Sequence, residues 1–398
     1  MANSSPPSPQ VSPRAGRFVL QQEGEDGFWA YEPNSLPPDP PLELDGSLAG
    51  LIDRANQALG RLDGVTLLVP DPDQFIHTFV RKEAVLSSQI EGTQSSFSDL
   101  LLFENDEAVG VPREDAEETA NYIAAMDHGL AEVARPGGLP ISSRLLRQVH
   151  AILLQSGRGA SKSPGEFRRT QNWIGGTRPS NARFVPPPWT SVESAMGDLE
   201  RFIHDQEGEN RVLVKAALAH VQLETIHPFL DGNGRLGRLL ITLLIAVEGV
   251  LKRPLLYLSL YLKQNRDLYY GHLHRVRTDG AWEEWLRFFL EGVTEVAGST
   301  TRTTQRIVAL IDSDRQTIHR FGRGAATAFR VHDWAARYLM VRPGRVAREL
   351  GLTEPPVYNA IARLEEHGIL REVTGRLRGK LWVYDEYLEL MNEGTEPL

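Results

Sequence analysis

The 398-residue chain contains no cysteine. That absence removes a disulfide scaffold, any thiolate zinc site and cysteine nucleophile chemistry. Long hydrophobic runs are missing as well. The best of them, Leu239 to Val247, is stopped by Glu248, far short of the ~20 residues that span a bilayer, so no membrane partner is expected. The first residues are rich in Ser and Pro without an apolar core, so no signal peptide is expected and the cytoplasm is the compartment that fits. A positive balance is also lacking. The formal net charge of −9 argues against a protein whose whole surface grips nucleic acid, while leaving room for a local basic patch. No P-loop, zinc motif or Ser/His/Asp arrangement is present to supply chemistry.

What is present is the composition of a folded protein, 41% hydrophobic and 24% charged, in a chain long enough for two or three domains. One stretch concentrates chemistry: His227-Pro228-Phe229-Leu230-Asp231-Gly232-Asn233-Gly234-Arg235-Leu236-Gly237-Arg238. Pro228 stops a helix from running through His227, and Gly232 and Gly234 let the backbone turn so that successive N–H groups face one concavity. The dense apolar run that follows (Leu236, Leu239, Leu240, Ile241, Leu243, Leu244) reads as a buried helix. Its N-terminus offers unpaired amides and a positive dipole to an anion. Arg235 and Arg238, at i and i+3, project on neighbouring sides of its first turn and could grip two phosphates.

This stretch resembles the signature of the Fic (filamentation induced by cAMP) family, HPFx(D/E)GNGRxxR, at every fixed position. The resemblance implies a nucleotidyltransferase that moves AMP from ATP to a Ser, Thr or Tyr hydroxyl of a protein. By that resemblance His227 is the general base, since a neutral imidazole accepts a proton near pH 7. Asp231 holds Mg2+ on phosphate oxygens. Pro228, Phe229, Leu230, Gly232, Asn233 and Gly234 line the ATP site, with Asn233 and nearby amides as the anion hole and Arg235 and Arg238 on the distal phosphates. Asn265 and Tyr269, with Tyr270 beside them, are expected at the adenine.

Upstream, Asp71-Pro72 reads as a helix start, followed by Phe75, Phe79, Leu86 and Ile90 on one face and a stop at Gly92. Ser87-Ser88-Gln89-Ile90-Glu91-Gly92 resembles the inhibitory motif (S/T)xxxE(G/N) of one class of Fic proteins. It implies that Glu91 occupies Arg238 through a charge-assisted pair. Residues 93–111 read as polar loop with an apolar patch. Helices are expected over 113–133 and from the Ser142-Ser143 cap. The segment from Pro164 to Gly176, returning through Phe184-Val185, reads as a hairpin and resembles the Fic flap. Ile174, Gly175, Gly176, Phe184 and Val185 would then pair with a target backbone.

Towards the other end, Val346 to Leu350, the turn at Gly351 and a helix from Thr353 bearing Val357, Ala360, Ile361 and Leu364 form a helix-turn-helix pattern. A basic turn, Thr374 to Lys380, leads into Leu381 to Tyr384, which completes a winged helix. Tyr358, Asn359, Arg363, Arg376, Arg378 and Lys380 are its DNA candidates; use of the unit for protein contacts or a homodimer stays open. The fold expected is therefore mainly α, a Fic-type helical bundle with a small β-hairpin flap plus a C-terminal winged helix-turn-helix domain. Its parts are a disordered tail (1–16), an N-terminal region with the inhibitory helix (17–110), the Fic core (111–295), a helical linker (296–324) and the winged helix (325–398). The function expected is an adenylyltransferase autoinhibited by Glu91, with ATP and Mg2+, acting on a protein and on itself. Two alternatives stay open: a DNA-binding regulator whose core senses nucleotide, and a hydrolase that removes AMP using Glu91.

Overall fold

The computed structural model describes residues 10–21, 27–68, 72–107, 110–205 and 212–397. Helix α1 (Gly46–Val65) starts where the Asp45 carboxylate accepts the Leu48 amide, and it buries Leu48, Ile52, Ala55, Leu59 and Leu62. Next come α2 (Pro72–Ile90), α3 (Phe97–Glu104), α4 (Arg113–Ala134) and α5 (Ser143–Leu153). Then follow α6 (Val192–His204), α7 (Val212–Ile226) and α8 (Asn233–Val247). Every side chain of α7 from Leu213 to Ile226 is buried, the mark of a helix at the centre of a bundle. It packs on α6, α8, α10 (Arg266–Asp279) and α11 (Trp282–His319), and α9 (Ser259–Gln264) closes the bundle against α2.

Several expectations change. The expected tail is anchored over its described part: the Ser12 amide donates to Thr278, Arg14 pairs with Glu283 at 2.7 Å, and Ala15 is buried. Residues 1–9 lie outside the described residues, as does Asp71, the expected cap, and the Phe75 side chain. The segment after Phe18 forms an antiparallel hairpin, β1 (Gly16–Gln21) with β2 (Phe28–Pro33). The expected loop after Thr93 contains α3, because Ser96 and Asp99 form a reciprocal capping box and Phe97, Leu100 and Leu101 have a core to enter. The flap holds one bridge, Ile174 with Phe184, and no longer ladder. The linker is not separate: residues 296–319 continue α11, and Thr300, Thr304, Ile307, Ile311 and Ile318 bury one face of it.

Beyond α11 lie α12 (Ala325–Tyr338), β3 (Met340–Val341), α13 (Pro343–Glu349), α14 (Glu354–Glu366), β4 (Leu370–Glu372), β5 (Trp382–Tyr384) and α15 (Asp385–Asn392). The strands form one antiparallel sheet in the order β3-β5-β4. The unit docks on the N-terminal region, where Arg342 and Arg376 reach the Glu107 carboxylate at 2.7 and 2.8 Å.

Where α9 meets α11, a Cβ on Gly292 would lie 2.5 Å from Cδ1 of Tyr261. Gly292→Ala is expected to cost about 1–3 kcal/mol through overpacking, read as a lower urea midpoint. Unchanged stability would mean that Tyr261 turns aside freely.

Candidate active site

The loop between α7 and α8 is braced from inside. The Asn233 side chain accepts the Phe229 amide and donates to the Phe229 carbonyl, both at 2.9 Å. Buried at 2% exposure, it fixes the loop, so its side-chain amide is not the anion-hole donor that the sequence reading made it. His227 sits at φ +49°, Gly232 at φ +75°, and Pro228 and Phe229 are buried while Leu230 is partly exposed. Asp231 accepts the Gly232 amide on Oδ1 at 2.6 Å. This lone carboxylate at the loop fits Mg2+, which takes one or two carboxylates and fills its shell with phosphate and water. Among the described residues no cluster of three or more His, Cys, Asp or Glu offers a ready metal cage.

A second layer holds the loop from below. His150 stacks on Phe229 with ring centroids 3.7 Å apart. Its Nδ1 accepts the Gly165 amide at 2.9 Å, so Nε2 carries the proton and donates to the Asp231 carbonyl at 2.9 Å. Burial pushes its pKa down to about 4, which keeps that tautomer neutral. Arg168, 3% exposed, donates to the carbonyls of His227 at 2.9 Å and Pro187 at 2.6 Å, and its own amide donates to Pro228 at 2.9 Å. Asn172 adds a bond to the Phe229 carbonyl at 3.0 Å. Sequence reading missed both His150 and Arg168. Nothing marked His150 in its apolar helix, and of Arg168-Arg169 nothing told which arginine turns inward.

His227 itself is partly open. Its Nδ1 lies 3.4 Å from the Glu224 carbonyl, which assigns the proton to Nδ1 and leaves Nε2 as the free acceptor. Burial, then the charge of Arg277, push its pKa down to about 4, so it is neutral at physiological pH. Arg277 is buried, donates to Thr225 Oγ1 at 3.1 Å and the Glu224 carbonyl at 3.2 Å, and lies 4.0 Å over the Phe184 ring. It thus joins the flap to the end of α7, a role the sequence did not suggest.

At the N-terminus of α8 the two arginines part ways. Arg235 is 3% exposed and its Nη1 donates to Glu118 at 3.1 Å, a carboxylate that also takes Arg158 Nε at 2.6 Å. It ties α8 to α4, which corrects its assignment to a distal phosphate. Arg238 turns to α2: Nη2 donates to Glu91 Oε1 at 2.6 Å and to the Ser87 carbonyl at 3.0 Å, and Nε to Ser87 Oγ at 2.8 Å. The Arg238 side chain is 1% exposed and that of Glu91 36%. Burial would raise the Glu91 pKa, yet the Arg238 charge and hydrogen bond overcome it and hold the carboxyl below its usual range. A Cβ on Gly234 would stand 2.1 Å from Glu91 Oε1, so only glycine leaves room for the carboxylate. Gly92, at φ +102°, turns the chain away directly after Glu91.

Of the expected adenine contacts, Tyr269 has no exposure and its hydroxyl lies 2.9 Å from His220 Nε2. It is core, a correction, and Tyr270 is the partly exposed member of the pair. Asn265, partly exposed, stands at the N-terminal boundary of α10 without a capping bond, its side chain donating instead to the Tyr261 carbonyl at 3.1 Å. In the flap, Gly175 and Gly176 are exposed at φ +70° and +71°. Ile174 and Phe184 exchange backbone bonds. Val185 is buried and its carbonyl takes the Tyr31 amide at 2.9 Å, so it pairs with β2 and is not free for a target.

The DNA candidates are scattered in role. Tyr358, Asn359 and Arg378 are exposed, and Lys380 lies 5.8 Å over the Trp382 ring. Arg363 is not free: it bonds the carbonyls of Phe321 at 2.7 Å and Arg323 at 3.1 Å. Arg376 is paired with Glu107.

Comparison with known proteins fits this site. Residues 49–131 match the model of the Fic/DOC family N-terminal region, and residues 140–245 that of the Fic/DOC family. The protein adenylyltransferase Fic of Drosophila grimshawi is 32% identical over 157 residues, 38% of this chain and 30% of the relative. The chain thus spans about a third of the length of the curated relatives it matches. A solved Fic family protein from Desulfovibrio desulfuricans G20 superposes with a TM-score of 0.55 at 18% identity, covering 86% of this chain and 97% of that one. Fic-1 from C. elegans gives 0.51 at 21% identity, covering 65% and 73%. At these identities the superpositions speak for the fold, while the complete loop and the two matched models, in this order along the sequence, identify residues 49–131 as a Fic/DOC N-terminal region and residues 140–245 as a Fic/DOC domain.

Proposed function

We propose that the protein is an adenylyltransferase that moves AMP from ATP to a protein hydroxyl, and that Glu91 restrains it by occupying Arg238. The observation that carries the reading is the Glu91–Arg238 pair, 2.6 Å long, laid across the glycine-cleared N-terminus of α8 beside a neutral His227. The relatives' printed name, protein adenylyltransferase, supports ATP as donor and a protein as acceptor.

In this reading the phosphates lie against the first amides of α8, where unpaired N–H groups and the helix dipole favour an anion. Mg2+, held by Asp231, would neutralise phosphate charge. The acceptor hydroxyl attacks the α-phosphorus while His227 Nε2 takes its proton; an O–P bond forms, the bond to the β-phosphate breaks, and pyrophosphate leaves. Arg238 serves the terminal phosphate once Glu91 withdraws. Glu91 is the more exposed partner of the pair, which favours one further use of the same site, orientation of a water for hydrolytic removal of AMP. We propose that the C-terminal unit is a winged helix. The engagement of Arg363 and Arg376 with their own chain supports contacts with protein over a grip on duplex DNA.

His227→Ala is expected to abolish AMP transfer and leave ATP binding within about twofold, because the base serves the acceptor; transfer at the parent rate would remove it from the mechanism. Glu91→Gly should raise transfer about tenfold or more, the equivalent of ~1.4 kcal/mol of competition, and end any AMP removal. Arg238→Ala in that background should cancel the gain, as labelled-ATP assays would reveal. In the Glu91→Gly protein, kcat/KM for ATP should stay flat from pH 7.5 to below 6, since the His227 pKa of about 4 falls further once a neighbouring anion is gone. An acid limb centred near ~6.5 would show an ordinary solvated histidine.

A further inference from the structure

Past α15 the backbone itself is held, over residues 393–396, in a groove between α2 and α9. Four successive carbonyls are taken by side chains: Glu393 by Lys82 Nζ at 2.7 Å, Gly394 by Lys263 Nζ at 3.2 Å, Thr395 by Gln89 Nε2 at 2.7 Å, and Glu396 again by Lys263. Lys82 and Gln89 are 2% and 1% exposed, and Thr395 is 1% exposed. Gly394 sits at φ +79° and a Cβ there would lie 2.7 Å from Leu260 Cδ1. The Glu393 carboxylate is tied to Arg306 at 2.9 Å.

Sinking two ammonium groups into protein is costly, and burial pushes the Lys82 pKa down to about 8. Apolar packing would seat a segment without that cost. Two lysines and a glutamine aimed at consecutive carbonyls instead read the main chain itself as it turns away from α15. Their placement on α2 is equally specific. Ser87 and Glu91, four residues apart, share the face on Arg238, whereas Gln89 lies on the opposite face. Gln89 is bonded there both to Thr395 and to the Ser95 carbonyl at 2.8 Å. The last turn of α2 is thus gripped from both sides, by Arg238 on one and by residues 393–396 on the other.

We propose that this groove is a docking site for the chain's own residues 393–396, and that its occupation holds the last turn of α2, and with it Glu91, on Arg238; the consequence for activity rests on the inhibitory reading above. When the segment leaves, Lys82, Lys263 and Gln89 lose their acceptors, the turn loosens, and Glu91 yields Arg238 to phosphate.

The test compares hydrogen exchange in the 398-residue chain, in a form lacking residues 393–398, and in Gly394→Val, which removes no residue and leaves α15 whole. Amides over 85–92 are expected to exchange about tenfold faster in both altered forms, with α5 unchanged, since the opening is local. AMP transfer should rise severalfold in both, and should not rise further when either change is added to Glu91→Gly. Unaltered exchange over 85–92 in both forms would overturn the proposal and leave the segment as passive packing. Faster exchange with flat transfer would uphold the docking and sink the inhibitory role of Glu91.

Discussion

A guanidinium taken almost wholly out of water must find negative charge, and much of this molecule is arranged around that requirement at Arg238. With a side chain only 1% exposed, it cannot be left bare. α7, buried on every side, fixes where α8 lies, and α8 fixes where Arg238 stands. The cleared space over Gly234 is taken by the carboxylate of Glu91, just past α2, and under the proposed function a phosphate would take the same place. On that proposal, rest and activity would be alternative ways of neutralising one charge.

The loop beside it is held through its own backbone, by three uncharged side chains and the Arg168 guanidinium. His150, Asn172, Arg168 and Asn233 brace its backbone through carbonyls and amides. Both histidines that touch it are kept uncharged by burial. Preorganisation of this kind would spare the proposed reaction the cost of rearranging dipoles as charge develops.

The loop was legible in the sequence because its chemistry is local: glycines, a proline and charged residues at fixed spacing. So was the helix that ends at Gly92, and the pairing expected between Glu91 and Arg238 is a contact in the structure. What the sequence hid was direction. Arg235 and Arg238 look equivalent at i and i+3, yet Arg235 turns to Glu118 on α4, a partner that no local pattern indicates. Tyr269 and Tyr270 divide between core and surface for the same reason. Asn233 sits at the expected place, but its amide is turned inward upon Phe229. The end of α11 was misplaced because its buried face there is made partly of threonines, which read as polar until their neighbours are known.

That single uninterrupted helix has a mechanical consequence. α11 runs for 38 residues, roughly 57 Å at the rise of an α-helix, with one end inside the bundle and the other carrying the C-terminal unit. It is a shaft and not a tether. Each residue along it advances the far end by about 1.5 Å and turns it by about 100°, so the heading of that unit is encoded in a residue count. Arg342 and Arg376 meet Glu107 only at one setting of this angle. Length drift that a flexible linker would absorb is therefore forbidden to the segment joining the two halves of this protein.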